Sequence, residues 1–152
     1  MDWLDGTDYG HYALCPAPYL ASWNGTEADA VSSEHVGKVV LPGHGDVLTL
    51  GGQGLPVAYL DRVTTFVRWV ACDDDAGLED AVERAVHTHE WHDAFEITLG
   101  GPYVLLDSGA LGAEVGEDEA IRVDVPPGRY RVQSLLIRPS TGEFFLERLT
   151  AV

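Results

Sequence analysis

The sequence predicts a mainly β or α+β domain: about eight antiparallel strands forming a curled sheet or a β-sandwich, with one short helix packed on a face. Three observations lead there. Short apolar, β-branched runs recur along the 152 residues, several of them closed by Gly or Pro. The run Thr65–Cys72 is apolar on both alternations, as a strand covered on both faces must be. Only Leu78, Ala81, Val82, Ala85 and Val86 follow the spacing i, i+3, i+4, i+7, i+8, which lines up one helical stripe against a sheet.

Length and composition bound the rest. At 152 residues and 45% hydrophobic, the chain suits one domain over residues 1–152, burying about 70% of the surface its unfolded form exposes. Residues 1–12 mix acids, glycines and aromatics without a period, so a frayed or lightly docked segment is expected. Met1-Asp2-Trp3-Leu4-Asp5 is acidic where a secretory leader is basic and then apolar, so a cytoplasmic protein with free thiols at Cys15 and Cys72 is expected. No apolar run approaches the roughly 20 residues of a membrane span.

In chain order, residues 14–21 carry Pro16 and Pro18, which exclude a regular helix and allow at most an edge strand. Trp23-Asn24-Gly25-Thr26 is a turn. Val36–Leu41 reads as a strand closed by Pro42-Gly43, and Val47-Leu48-Thr49-Leu50 leads through Gly51, Gly52 and Gly54 into a Pro-led strand at 56–60. That glycine triplet lacks the Lys-Ser/Thr ending and the following helix of a phosphate loop. In the next strand Arg68 breaks the apolar pattern, so it requires a buried partner or lines a pocket. Asp73, Asp74 and Asp75 are expected to cap the helix and to complement its dipole, each adding up to about 1 kcal/mol.

The remainder reads as strands. Trp91, Asp93, Phe95, Ile97 and Leu99 share one alternation as far as Gly100-Gly101-Pro102, and 103–106 forms a further short strand. Residues 107–119 are a Gly- and acid-rich loop. Ile121, Val123 and Val125 alternate with Arg122 and Asp124, after which Pro126-Pro127-Gly128 is expected to turn the chain into 129–137. Ser140-Thr141-Gly142 then leads to a closing strand at 143–149, completing an antiparallel meander. Arg122, Arg129, Arg131 and Arg138 are expected to pair across strands with Asp124, Glu143 and Glu147, at about 0–1 kcal/mol each.

Chemistry is sparse. His87, His89 and His92 cluster with Glu90 and Asp93, and His at i and i+2 on an extended strand would share a face; they are weak metal candidates, because no second ligand pair and no zinc spacing accompany them. No nucleophile elbow, zinc-protease helix or pair of tuned acids is present, so neither catalysis nor a cofactor is expected. With 25 Asp+Glu against 9 Lys+Arg the formal charge is −16, which repels a phosphate backbone and attracts a basic protein.

Four segments carry a family resemblance: Gly45-Asp46-Val47-Leu48-Thr49-Leu50-Gly51-Gly52, Leu55-Pro56-Val57-Ala58-Tyr59-Leu60, Val67-Arg68-Trp69-Val70 and Pro126-Pro127-Gly128-Arg129-Tyr130-Arg131-Val132. With residues 104–107 and the terminal Phe145-Leu146-Glu147-Arg148-Leu149, they resemble, in the same order, the immunity protein 21 family of polymorphic toxin systems. The strand ends and the Gly-Arg-Tyr pattern are more distantly similar to the competence protein J type of nuclease inhibitor.

That resemblance implies a bacterial inhibitor that binds a cognate toxin domain and blocks its active site without doing chemistry. Charge makes a basic toxin the expected partner. Candidates for the binding face are Asp73, Asp74, Asp75, Glu79, Asp80 and Glu83, joined by Glu114, Glu117, Asp118 and Glu119 on the loop. The alternative is a small-ligand- or metal-binding β domain that uses Arg68, the histidine cluster and the sheet interior.

Overall fold

Eight antiparallel strands form one sheet in the computed structural model, which describes residues 1–152, in the order β2-β3-β1-β6-β7-β8-β5-β4. The strands are β1 Tyr12–Pro16, β2 Val36–Leu41, β3 Gly45–Leu50, β4 Val57–Leu60, β5 Thr65–Cys72, β6 His92–Asp107, β7 Ala120–Ile137 and β8 Gly142–Ala151. One helix, α1 Leu78–Thr88, crosses between β5 and β6. Of the two expected arrangements the curled sheet is present, and there is no second sheet.

Curling gives the sheet an inner and an outer face, and alternation along the strands assigns residues to each. Tyr12, Leu14, Leu48, Leu50, Phe66, Ile97, Leu105, Val123 and Val132 fill the inner core. On the outer face α1 buries Leu78, Val82 and Ala85 against Leu60, Val67, Phe144 and Leu146. Full burial of a Leu or Val side chain contributes about 1.5–3 kcal/mol, so this stripe is what holds a helix of only three turns. The other end of the outer face is covered by the 3-10 turns Ala17–Ser22 and Asp29–Val31, beneath which Trp23 is buried and donates Nε1 to Ser108 O at 2.8 Å.

Several expectations change here. The first proline segment is no edge: β1 lies between β3 and β6 with all five residues buried. Pro16 is its last residue, where the missing N–H costs little, and Pro18 falls in the following 3-10 turn. Pro126-Pro127-Gly128 is a bulge within one long strand, not a turn. Leu99 pairs with Gly128 and Gly101 with Val125, so Pro126 and Pro127 stand opposite Gly100 alone. Gly101 supplies the kink on the facing strand with φ +88°, a conformation side chains rarely adopt, and two residues without N–H groups sit where the ladder is broken. The expected strands at 91–99 and 103–106 are therefore one strand, as are those at 121–125 and 129–137.

Residues 1–12, expected to be frayed or lightly docked, are docked at Trp3 and Leu4. Leu4 exchanges two backbone bonds with Val57, at 2.8 and 3.0 Å, and the Trp3 ring meets Trp69 edge-on at 5.1 Å. The Asp triplet does not cap α1: its N-cap is Gly77, in the left-handed region at φ +72°. Asp74 Oδ1 instead accepts the Ala76 N–H in an Asx-type turn, and Asp75 Oδ2 accepts Trp3 Nε1 at 3.0 Å. Of the expected cross-strand arginine pairs, Arg138 with Glu143 forms, at 2.8 Å; Arg129 pairs instead with Glu96, at 3.4 Å, and Glu147 with Arg68.

Candidate functional site: an acid-rimmed groove and a buried ion pair

Because the sheet curls, its edge strand β4 comes against the first half of β7, and the opening residues run along the gap between them. A groove of about 810 Å³ remains there. Its apolar wall comes from Leu20, Tyr59, Leu60, Val104, Ile121 and Val123, and its charged rim from Asp2, Asp61, Glu79, Arg122 and Asp124.

Three smaller depressions extend the acidic surface, two of them sharing lining residues with the groove. One of about 370 Å³ is bounded by Asp75, Glu79 and Asp80, another of about 420 Å³ by Asp80, Glu83, Arg84 and His87, and a third of about 410 Å³ by Asp2, Glu117, Asp118 and Arg122. Asp2 borders both the main groove and the Glu117–Asp118 depression, while Glu79 borders the groove and the α1 depression. Acids from the opening residues, from α1 and from the loop before β7 therefore border the groove or the depressions that adjoin it. Asp73, Asp74, Glu114 and Glu119 lie outside these four depressions, Glu119 being occupied in accepting the Gly116 N–H at 3.0 Å.

The field there is only partly neutralised. Arg62 lies 3.5 Å from Glu79 and 2.8 Å from Glu83 across half-exposed side chains, a contact worth about 0–1 kcal/mol. Asp73, Asp74 and Asp80 have no basic partner within 4 Å. A local reporter of this potential is Cys72, at the end of β5. Partial burial raises its thiol pKa, and the charges of Asp74, Asp73 and Asp75 raise it further.

Arg68 combines both alternatives open to it: a buried ion pair and a cavity wall. Its guanidinium is fully buried and donates to the Glu147 carboxylate on the neighbouring β8, with Nε 3.1 Å from Oε1, and to the Gly51 carbonyl at the end of β3. The His35 ring covers the pair, Nε2 standing 3.1 Å from Glu147 Oε1 and packing edge-on to Phe145 at 4.8 Å. Gly51 admits no side chain, since a Cβ would come 2.1 Å from Glu34 O. Burial by itself raises the Glu147 pKa, but the Arg68 charge and the hydrogen bonds from His35 and Arg68 outweigh it, and the carboxyl is held below the ordinary glutamate range. A cavity of about 220 Å³ opens beside His35, Gly52, Gln53 and Phe145, with Arg68 at its base.

The histidine cluster does not come together as a strand face. The helix continues to Thr88, so His87 is in its last turn, His89 caps it and His92 begins β6, all exposed. No group of three or more His, Cys, Asp or Glu side chains is arranged to hold a metal ion. No helix is long and apolar enough to cross a membrane.

The sequence reading missed Asp2, Asp61 and Asp124 on the groove rim, because only the curl of the sheet brings β4 to β7. It also took Glu147 for a partner of the strand arginines. The available signal was its place among Phe144, Phe145, Leu146 and Leu149, where a lone carboxylate needs a buried cation.

A family model described as Immunity protein 21 matches residues 7–143. No curated protein and no solved structure matches the chain.

Proposed function

The chain belongs to the immunity protein 21 family, and we propose that it neutralises a cognate bacterial toxin by direct binding, through the acidic surface formed by α1, the turn before it and the groove. The partner in this reading is a basic toxin domain, met in the cytoplasm, and the protein acts by covering it without making or breaking bonds. Neither nucleic acid nor membrane is a partner in this reading.

The observation that carries the reading is a set of acid-lined depressions: Asp75, Glu79 and Asp80 bound one, Asp2, Glu117 and Asp118 bound another, and Glu79 and Asp2 also line the main groove that adjoins both. A concave surface with low-dielectric walls and a strong excess of one sign of charge focuses its field outward, which accelerates encounter with a basic surface and disfavours acidic competitors. The small-ligand alternative has less support: the sheet interior is filled by core side chains, and the Arg68 donors are spent on Glu147 and Gly51.

The test is co-expression with a candidate toxin domain against which the parent chain protects. Asp74→Lys, Asp80→Lys and Glu83→Lys together abolish protection while the circular dichroism spectrum and melting temperature stay near those of the parent. Full protection by a folded triple variant removes this face from the account.

A further inference from the structure

The apolar groove between β4 and β7 carries a feature the acidic surface alone does not: unpaired main chain. In the β4–β5 ladder the Trp69 N–H bonds to Pro56 O, so alternate residues Pro56, Ala58 and Leu60 face β5. Val57 and Tyr59 face the other way. Val57 is met there by Leu4, but the ladder ends after that single bridge, leaving the Tyr59 N–H and C=O on the open side of the strand with no protein partner. Tyr59 lines the groove on that side, with Met1 and Asp2 beside it.

We propose that this groove receives an extended segment of the partner, carrying one apolar or aromatic side chain flanked by Lys or Arg. Main-chain bonding to Tyr59 holds the segment along the β4 edge, in the way a peptide adds to an exposed strand. Its apolar side chain enters between Leu20, Val104 and Ile121, and its cations meet Asp61 and Asp124, which are exposed and have no basic partner within 4 Å. Asp2 and Glu79 add to the same sign of potential, against a single Arg122 on the rim. An acidic or purely polar segment fits neither the walls nor the rim. The proposal rests on the toxin-binding reading and names the piece of the toxin that is held.

The test uses the full chain and the toxin domain against which it protects in co-expression, with affinity read by calorimetry. Ala17→Trp fills the groove from its half-exposed wall, and Asp61→Lys with Asp124→Lys reverses the rim at exposed positions. Each variant is expected to weaken binding at least tenfold with an unchanged melting temperature. Should Ala17→Trp fail to fold, the rim variant decides. If the parent binds and the folded variants bind within twofold of it, the groove is overturned while the toxin-binding reading stands. A parent chain that does not bind the toxin overturns both.

Discussion

Arg68 on β5 and Glu147 on β8 form an ion pair with both side chains out of contact with water, Glu147 being 1% exposed and Arg68 fully buried. It ties β5 and β8 to the residue that follows β3, because Gly51 O accepts from the same guanidinium. Removing one member leaves the other charged in a low-dielectric interior. Glu147→Gln is therefore expected to destabilise the protein by about 3–5 kcal/mol in urea denaturation. The double change Arg68→Met with Glu147→Leu is expected to cost far less than either single change, because neither charge is left unpaired.

The same pair sets an acid limit. Glu147 has its folded pKa lowered, so its contribution to stability is fully present above the unfolded glutamate value of about 4.3 and is lost as pH falls below that value through the folded pKa. Urea midpoints measured from pH 6 down to pH 3 are expected to fall, and the Arg68→Met, Glu147→Leu variant is expected to fall less steeply over the same window.

The thiols report on burial and on the acid run separately. Burial pushes Cys15 up to about 12, with Glu27 adding to the effect, so in the folded protein at pH 8 it is expected to resist a disulfide reagent. Cys72 is half-exposed but has its thiolate disfavoured by burial and by Asp74, Asp73 and Asp75. Replacing all three acids with Asn is expected to speed Cys72 modification severalfold and leave Cys15 unchanged. Equal rates before and after the change would remove the carboxylate field from the explanation.

How much of this was readable from residues alone follows from which interactions are local. The stripe of Leu78, Val82 and Ala85 and the doubly apolar Thr65–Cys72 announce themselves because periodicity depends only on neighbours in sequence. Pro126 and Pro127 misled because a proline pair ordinarily ends a strand. Here Gly101 lets the facing strand kink, so the hairpin continues past the break. The acids of α1 were visible as a charge run, whereas the groove was not. It exists only because β4 and β7, which are not neighbours in the sheet, are brought together by curling. His35 was silent for the same reason, lying 33 residues from Arg68 and over a hundred from Glu147.

The most direct measurement of the central claim is the association rate of the chain with its toxin domain across ionic strength, for the parent and for the Asp74→Lys, Asp80→Lys, Glu83→Lys variant. Carboxylate steering predicts a parent rate that falls about tenfold or more between low and high salt, and a variant rate already low and nearly flat. A parent rate indifferent to salt, or a variant that associates as fast as the parent at low salt, would contradict it.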